Sequence, residues 1–246
     1  MDSIITFCSQ GQAISANLII PLESAPCVIM SHGLEGSKDG AKWQLLSTKL
    51  YEAGIASLRF NYRGCGQDKD KSEGKFEETT LTNRIQDFKA AIDFVKLTAV
   101  DSSRLGVIGS SLGGVVAIAA WDKRIKAMVV MATPLQFPKP TEKQLRHTKD
   151  AEYFNLPSGS RIGTEFLKAL LNHDTGRDVV GVECPLLIIH GSSDEDFPVI
   201  NARRLYDKAN KPKQLEIIRG GSHGFDNPNH LQQIASLALG WFKRYL

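Results

Sequence analysis

The sequence predicts an α/β fold with a doubly wound β-sheet as its centre. Short, apolar, β-rich runs alternate with longer segments in which apolar residues recur at helical spacing. Most of these runs are almost continuously apolar, as expected of parallel strands that helices cover on both faces. The chain has 246 residues, of which 42% are hydrophobic and 23% charged. This length and composition suit one globular domain that occupies residues 1–246.

Eight runs of the sequence fit β-strands. The first two alternate apolar and polar residues more regularly than the others, which predicts an antiparallel hairpin at an edge of the sheet. The other six are the nearly continuous apolar runs. The eight runs are residues 3–8, 13–20, 27–32, 55–61, 104–110, 125–132, 185–191 and 214–220.

Three segments between or after these runs predict helices. Apolar residues recur at helical spacing over residues 81–95. Residues 43–53 are followed by Gly54, the residue type that commonly ends a helix. Residues 230–246 are amphipathic and are predicted to pack against the sheet.

One long segment, residues 135–180, breaks the alternation. It carries several prolines and two short helix-like patches, with no strand-like run. So long a stretch inside a compact domain is typical of a lid or cap over a site. Its apolar side chains would then either pack on the core or line a pocket; they include Phe137, Tyr153, Phe154, Phe166 and Leu170.

The charge and the cysteine content indicate which binding partners and which cellular location are expected for the protein. The net charge of +3 is too small to indicate a nucleic-acid or membrane partner. No signal peptide and no run long enough to span a membrane is visible. The cysteines lie far apart with no metal-ligand spacing, which favours reduced thiols in a cytoplasmic protein, although a Cys8–Cys27 bridge stays open. The four are Cys8, Cys27, Cys65 and Cys184.

The junction between the fifth run and the next helix carries the strongest chemical signal. Residues 109–113 read GSSLG, which fits the pattern G-x-S-x-G only with Ser111 at its centre. Such a turn lifts the central hydroxyl above the sheet, while small neighbours let strand and helix approach closely. Ser111 is therefore the candidate nucleophile, and Ser110 is a small filler. The alternative, a glycine-rich turn used only for packing, stays open; a nucleotide-binding loop does not fit, because its Lys-Ser/Thr pair is missing.

A serine hydroxyl needs a base to remove its proton. His223 lies in GGSHGF, between the last predicted strand and the last helix, where a loop projects over the carboxyl edge of the sheet. Small residues on both sides leave room for its ring to reach Ser111. We therefore predict that His223 is the general base.

The base in turn needs a carboxylate that fixes its tautomer. Three acidic residues follow the strand-like run 185–191, in the expected chain order of Ser, Asp or Glu, then His. The spacing favours Asp194. Asp196 is the alternative, and Glu195 is predicted to face solvent.

A tetrahedral intermediate also needs backbone donors for its oxyanion. One predicted donor is the N–H of Leu112, directly after the nucleophile, and the other is the N–H of Leu34, in the loop SHGLEG. In that loop, His32 is predicted to be a structural ring and not a second base. In the loop NYRGCG, Arg63 is given a structural role and Cys65 none.

Taken together, these motifs resemble the α/β-hydrolase-fold serine hydrolases. The matching segments are SHGLEGSK, LRFNYRGCGQ, GSSLGG, IIHGSSDEDFP and GGSHGF, in the family's order and over essentially residues 20–246. Within that group the chain is most similar to bacterial cinnamoyl and feruloyl esterases and their monoacylglycerol-lipase-like relatives. The resemblance implies a mostly parallel sheet of about eight strands, with the cap inserted after the strand at 125–132.

The resemblance further implies hydrolysis of carboxylic esters through an acyl-enzyme, without a metal ion or an organic cofactor. The implied partner is a small-molecule ester with a small to medium acyl group or an aromatic acid. No nucleic acid and no membrane span are expected, and a homodimer stays open. Three alternatives also remain: a thioesterase, an aminopeptidase for small peptides, and a non-catalytic receptor on the same fold.

Overall fold

The computed structural model describes residues 3–138 and 151–246. These residues include ten strands: β1 (Ser3–Ser9), β2 (Gln12–Ile19), β3 (Pro26–Ser31), β4 (Ala56–Phe60), β5 (Asp101–Ser110), β6 (Ile125–Met131), β7 (Tyr153–Asn155), β8 (Arg161–Gly163), β9 (Leu186–Gly191) and β10 (Lys213–Ile218). Eight of them form one sheet in the order β1-β2-β4-β3-β5-β6-β9-β10. β1 and β2 pair antiparallel at its edge, as predicted, and every pair from β4 to β10 is parallel.

Helices cover both faces of this sheet, so the predicted α/β class is confirmed. Seven helices lie within the described residues: α1 (Ala41–Glu52), α2 (Leu81–Val95), α3 (Leu112–Ala119), α4 (Thr164–Asn172), α5 (Thr175–Asp178), α6 (Ile200–Lys208) and α7 (Pro228–Tyr245). The amphipathic C-terminal segment forms α7, which packs against β6, β9 and α1.

The central strands are buried on both faces, which explains their continuous apolar sequence. Successive side chains of a strand point to opposite faces. In β6, Val129 joins the core layer beneath α1 and α7, whereas Val130 joins the layer beneath α2, α3 and α6. Each face of the sheet therefore has its own apolar core.

Local signals fix the ends of two helices. The side chain of Thr80 accepts a hydrogen bond of 3.0 Å from the N–H of Asn83 and so caps the N-terminus of α2. α1 ends at Glu52, and Gly54 follows with a φ of +78°, a left-handed conformation that glycine adopts without strain. The helix end predicted at Gly54 is confirmed.

The segment 135–180 differs from the sequence-based expectation in one respect. It contains a short antiparallel hairpin, β7 with β8, although no strand was predicted there. Three-residue strands carry too few residues for alternation to be visible. Two of its apolar residues, Phe166 and Leu170, are buried in the core, at 1% and 3% exposure. Residues 139–150 lie outside the described part of the chain, and the cap function of 135–180 stays a prediction.

Two further expectations concern membranes and thiols. Among the helices in residues 3–138 and 151–246, none combines the length and apolar character needed to cross a bilayer. All four cysteines are free thiols, so no bridge joins Cys8 and Cys27. Cys27 is buried in the core, and this burial raises the pKa of its thiol to about 12.

Candidate active site

Ser111 occupies a strained turn between β5 and α3. Its φ of 55° and ψ of −125° are unusual for a residue with a side chain. Gly109 and Gly113 make the turn sterically feasible. A Cβ atom on Gly109 would lie 2.5 Å from the carbonyl oxygen of Gly113, so any side chain there would force strand and helix apart. The G-x-S-x-G pattern therefore reflects a backbone contact, with Ser111 at its apex.

The structure places Ser111, His223 and Asp194 in one hydrogen-bonded line. Ser111 Oγ lies 3.0 Å from Nε2 of His223, and Nδ1 of the same ring lies 3.0 Å from Oδ2 of Asp194. The three residues follow β5, β10 and β9, whose carboxyl ends share one edge of the sheet. With a proton on Nδ1, the ring donates to Asp194 and can accept the proton of Ser111.

Asp194 is held ionised by its hydrogen bonds. Burial alone would raise the pKa of this carboxyl group, but hydrogen bonds from His190, His223 and the N–H of Phe197 hold the pKa below its ordinary range. His190 Nε2 lies 3.2 Å from Oδ2, and the Phe197 N–H donates to Oδ1 over 2.9 Å. The side chain of Asp194 therefore presents a buried negative charge to His223.

The two other acidic residues of this turn lie elsewhere. Asp196 has a side chain that is 67% exposed, and its Oδ2 is 4.0 Å from His223 Nε2, the nitrogen that faces Ser111. Glu195 is exposed to solvent. Of the two carboxylates considered for the third position, the structure thus brings Asp194, and not Asp196, to Nδ1.

The loop after β3 passes beside Ser111. A Cβ atom on Gly33 would lie 3.4 Å from the Cβ of Ser111. The carbonyl oxygen of Gly33 accepts a hydrogen bond of 3.3 Å from Arg84, and that of Leu34 accepts one of 2.9 Å. In a trans peptide the N–H points opposite to the preceding C=O, so the N–H of Leu34 points away from Arg84.

Leu112, the other predicted donor, is the first residue of α3. The N–H groups of a helix's first turn have no partner within the helix. The carbonyl oxygen of Ser111 already marks the start of this helix, since it accepts hydrogen bonds from Gly114 and Val115. The N–H of Leu112 is therefore placed beside the Ser111 side chain by the helix start itself.

His32 braces the same loop. Its Nδ1 donates to the carbonyl oxygen of Gly33 over 2.8 Å, and its Nε2 accepts from the N–H of Tyr62 over 3.2 Å. Burial, assisted by the nearby charge of Arg84, lowers the pKa of His32 to about 3. Because its ring is neutral and both ring nitrogens are hydrogen bonded, His32 has the structural role that the sequence predicts.

Arg63 and Cys65 follow β4 and also lie away from Ser111. Arg63 binds the buried carboxylate of Asp87, with an Nη2–Oδ1 distance of 2.6 Å. Cys65 accepts a long hydrogen bond of 3.6 Å from Arg84. Arg63 has the structural position that the sequence predicts.

A cavity of about 560 Å³ opens above Ser111 and His223. Its size suits a small molecule. The segment after β6 supplies most of the apolar wall, and Lys42 of α1 also reaches it. The apolar wall includes Phe137, Leu156, Ile162, Leu167, Leu170 and Leu171. A more polar depression of about 640 Å³ adjoins it at residues 35–37, but Ser111 and His223 do not line that one.

A possible metal-binding cluster overlaps the hydrogen-bonded line at Asp194 and His223. Within the described residues, Asp194, Asp196 and His223 form a cluster whose donor atoms lie within 4.8 Å of one another. The two ring nitrogens of His223 are already hydrogen bonded to Asp194 and Ser111. The arrangement thus fits proton transfer between side chains.

Comparison with known proteins identifies the family. Residues 42–246 match the prolyl oligopeptidase family. The chain belongs to that family. The family match and the observed fold place the chain in the α/β-hydrolase class, and the predicted resemblance to α/β-hydrolase-fold serine hydrolases is confirmed.

Individual proteins are similar to this prolyl oligopeptidase family member in sequence or in fold. The uncharacterized protein YfhR of Salmonella typhi is 29% identical over 218 residues, which cover 82% of this chain and 66% of YfhR. This chain therefore spans slightly less than two thirds of that relative. Est1E from Butyrivibrio proteoclasticus, solved with ferulic acid bound, has a TM-score of 0.85 at 22% identity, covering 98% of both chains. The esterase domain of a Rhodothermus marinus protein has a TM-score of 0.76 at 23% identity, covering 100% of this chain and 99% of that one.

Three site residues of this family member were not predicted from sequence. Arg84 stands on the buried face of α2, and a charged residue among apolar neighbours at helical spacing was a usable signal. His190 is the second-last residue of β9, and a histidine in a buried strand needs partners for its ring. The sequence around Lys42 does not indicate a site residue, because a lysine in the first turn of a helix is ordinarily solvated.

Proposed function

We propose that this protein hydrolyses carboxylic esters through an acyl-enzyme intermediate. The observation that supports this most directly is the hydrogen-bonded line from Ser111 through His223 to Asp194, with its serine at a strained turn below an apolar cavity. A buried carboxylate, a ring nitrogen and a hydroxyl in this order are the parts required to activate a serine nucleophile.

In the first half of the reaction, Ser111 Oγ attacks the ester carbonyl carbon as its proton moves to Nε2 of His223. The charged ring is stabilised by the carboxylate of Asp194. The carbon–oxygen bond of the ester then breaks, and the departing alkoxide takes the proton from His223. The alcohol leaves, and the acyl group stays on Ser111.

In the second half, a water molecule attacks the acyl carbon and gives its proton to Nε2 of His223. The bond to Ser111 Oγ breaks, and His223 returns the proton to the serine. The carboxylic acid leaves, and the enzyme is regenerated. Each proton that leaves an oxygen atom thus passes through the same ring nitrogen.

The N–H groups of Leu34 and Leu112 are proposed to stabilise the oxyanion of both tetrahedral intermediates. The support is their placement: the loop of Leu34 passes beside Ser111, and Leu112 opens α3 directly after it. Backbone N–H groups that already point at the oxyanion position stabilise the charge that develops in the transition state, because the protein does not have to reorganise.

The apolar side chains from residues 135–180 are proposed to hold the acyl group or an aromatic acid. Those among the described residues line the cavity above Ser111, and burial of apolar surface favours such groups. A wall of this extent fits small to medium acyl chains.

The proposal is tested with a fluorophosphonate probe and a panel of p-nitrophenyl esters. The wild type is expected to be labelled and to hydrolyse esters, whereas Ser111→Ala loses labelling and about a million-fold in kcat. Ser110→Ala, a change of the same size at the adjacent residue, should retain labelling. Labelling that persists in Ser111→Ala, or an absence of any reaction in the wild type, would overturn the assignment.

A second candidate function is removal of amino-terminal residues from small peptides. Membership of the prolyl oligopeptidase family favours it, as do two carboxylates on the cavity wall, Glu35 and Asp196, which could bind a substrate's α-ammonium group. Aminoacyl anilides test it directly. A kcat/KM for anilides above that for esters of the same acyl group would favour the peptidase.

The remaining alternatives separate in the same assays. A thioesterase would hydrolyse acyl-CoA in preference to oxygen esters of equal chain length. A receptor on this fold would have no activated serine and would stay unlabelled by the fluorophosphonate.

A further inference from the structure

Lys42 brings a cation to the wall of the cavity above Ser111. It is the second residue of α1, and its Nζ donates a hydrogen bond of 3.0 Å to Oγ of Ser110. Ser110 directly precedes the nucleophile and is itself buried, so the ammonium group is held near the reaction centre. An ammonium group has three N–H donors. One hydroxyl therefore leaves donors of Lys42 for another partner.

The partners of Lys38, which is fully buried, differ from those of the half-buried Lys42. Lys38, whose side chain is 1% exposed, binds Asp39 over 2.9 Å and Asp70 over 3.1 Å. In residues 3–138 and 151–246, by contrast, no ion pair within 4.0 Å joins Lys42 to a carboxylate. The protein thus neutralises the buried Lys38 with two acids, whereas the half-buried Lys42 contacts a hydroxyl and, 5.7 Å away, the ring of Trp43.

A cation in this position is costly unless an anion joins it. Burial lowers the pKa of Lys42 to about 8, while the more distant carboxylate of Asp226 acts in the opposite direction. The ammonium form accordingly predominates at neutral pH. A ligand that supplies a negative charge would recover part of the cost of burial.

We propose that Lys42 binds a carboxylate group of the substrate, so that the preferred esters carry an acid group as well as an apolar part. The inference rests on the proposed ester hydrolysis. The apolar wall and Lys42 come from different parts of the chain, residues 135–180 and the start of α1, and both reach the same cavity. An ester with one apolar part and one carboxylate satisfies both.

The competing explanation is that Lys42 only ties α1 to β5 through Ser110. Both explanations predict some loss of stability when Lys42 is replaced. The two explanations predict different substrate preferences. A lysine that only ties α1 to β5 does not contact the substrate, so it would not distinguish a charged ester from a neutral one of equal shape.

The test compares matched pairs of esters. The p-nitrophenyl monoester of glutaric acid is set against p-nitrophenyl pentanoate, which places the charge in the acyl half. The p-carboxyphenyl and p-carbamoylphenyl esters of butanoic acid place it in the alcohol half. We expect the kcat/KM ratio of charged to neutral ester to fall by about 10- to 100-fold in Lys42→Met for one of these pairs, since a hydrogen bond to a charged group is lost. The pair that responds shows which half carries the carboxylate.

Two variants complete the comparison. Lys49→Met makes the same change on the same helix at a residue paired with Glu52, and the ratio should match the wild type. Lys42→Arg restores the charge and should recover most of the preference. An unchanged ratio for both pairs in Lys42→Met, with the esters still hydrolysed, would overturn the subsite while leaving the ester hydrolase intact.

A pH series gives a second readout. The preference of the wild type for the charged ester should weaken between about pH 7 and about pH 9 as Lys42 loses its proton, and that of Lys42→Arg should not. Among the described residues, the other titratable groups of this region are Glu35, Asp196, His223 and Asp226. They are the same in both proteins, so the difference between the two profiles reports Lys42. Parallel profiles would count against the proposal.

A binding measurement separates this inference from the proposed function. The Ser111→Ala protein is titrated with the glutarate monoester and with p-carboxyphenyl butanoate by calorimetry. Binding that weakens about 10- to 100-fold on adding Lys42→Met supports the anion subsite even if no ester is turned over. Equal affinity in both proteins overturns the subsite, whatever the activity.

Discussion

Arg84 donates a hydrogen bond of 2.9 Å to the carbonyl oxygen of Leu34. It binds the loop after β3 on the side opposite to Ser111. The guanidinium group is fully buried, lies 4.7 Å from the ring of Tyr62, and also binds the carbonyl oxygen of Gly33. Its planar shape lets one residue hold two successive carbonyl groups. The orientation of the proposed oxyanion donor therefore depends on a side chain from α2.

Replacing Arg84 should lower kcat more than it raises KM. Arg84→Lys keeps the charge but loses the two-carbonyl geometry, and we expect a decrease in kcat of about 10- to 100-fold, with KM within about threefold, because the loop's donor acts mainly on the transition state. Steady-state kinetics on a p-nitrophenyl ester measures both constants.

A core variant of the same helix provides the control. Phe88→Leu weakens the packing of α2 without touching the loop, and its kcat should stay near the wild-type value. If Arg84→Lys and Phe88→Leu lose kcat in proportion to their loss of thermal stability, Arg84 has no positioning role.

The two acidic candidates beside His223 should respond differently to the same substitution. Asp194→Asn removes the acceptor of the ring N–H and should lower kcat by about ten-thousand-fold. Asp196→Asn should cost less than about tenfold, because its carboxylate lies 4.0 Å from Nε2 and is mostly solvated. Rates measured side by side decide between them. A larger loss for Asp196→Asn would reverse the assignment.

His32 should make the protein sensitive to mild acid. Its pKa is about 3 in the folded protein against an ordinary value of 6.5, so folding favours the neutral ring. The neutral ring contributes its full stabilisation above pH 6.5, the ordinary pKa of histidine. This contribution is lost as the pH falls from 6.5 toward 3. Between about pH 7.5 and about pH 5 the free energy of unfolding should decrease by about 2 kcal/mol from this residue.

Urea unfolding at the two pH values measures this decrease. His32→Gln keeps one donor and one acceptor for the same partners but does not titrate. Other acid-sensitive groups, Asp194 among them, act equally in both proteins, so the loss of stability on acidification should be about 2 kcal/mol smaller in the variant. Equal losses of stability in the two proteins would show that protonation of the His32 ring does not destabilise the fold.

Leu167 should influence which acyl chains are preferred. It is half-buried on α4 and lines the cavity wall. Leu167→Ser removes apolar surface that a longer chain would cover, so the kcat/KM ratio of octanoate to acetate esters should fall on the order of tenfold. Ala169→Ser, at an exposed position of the same helix, is the matched control. An unchanged ratio in Leu167→Ser would place the acyl group elsewhere in the cavity.

The sequence predicted the sheet well because its central strands are buried on both faces and are therefore almost continuously apolar. All eight runs became strands of one sheet, and the pattern around Ser111 identified the turn through the backbone contact of Gly109 and Gly113. These signals depend on neighbours in the chain, which a sequence displays directly.

Residues that act through distant partners were harder to find. Arg84 lies 50 residues from Leu34 in sequence, and Lys42 lies 68 residues from Ser110. The apolar neighbours of Arg84 at helical spacing indicate that it is buried, but they do not identify its partner, and Lys42 has no comparable signal. Both contacts arise only when α2 and α1 dock on the sheet. The hairpin of β7 and β8 escaped for a different reason, since three residues per strand are too few for a period of two to be recognised.

The hydrogen bond between Ser111 and His223 joins residues 112 positions apart, on loops that leave the first and last of four adjacent parallel strands. Under the proposed function, the rate of ester turnover during refolding would therefore report when β10 has docked beside β9. Probes of helix content, which respond to α2 or α7 alone, would recover at earlier times. The proposed reaction would accordingly measure the rate of the last stage of chain assembly.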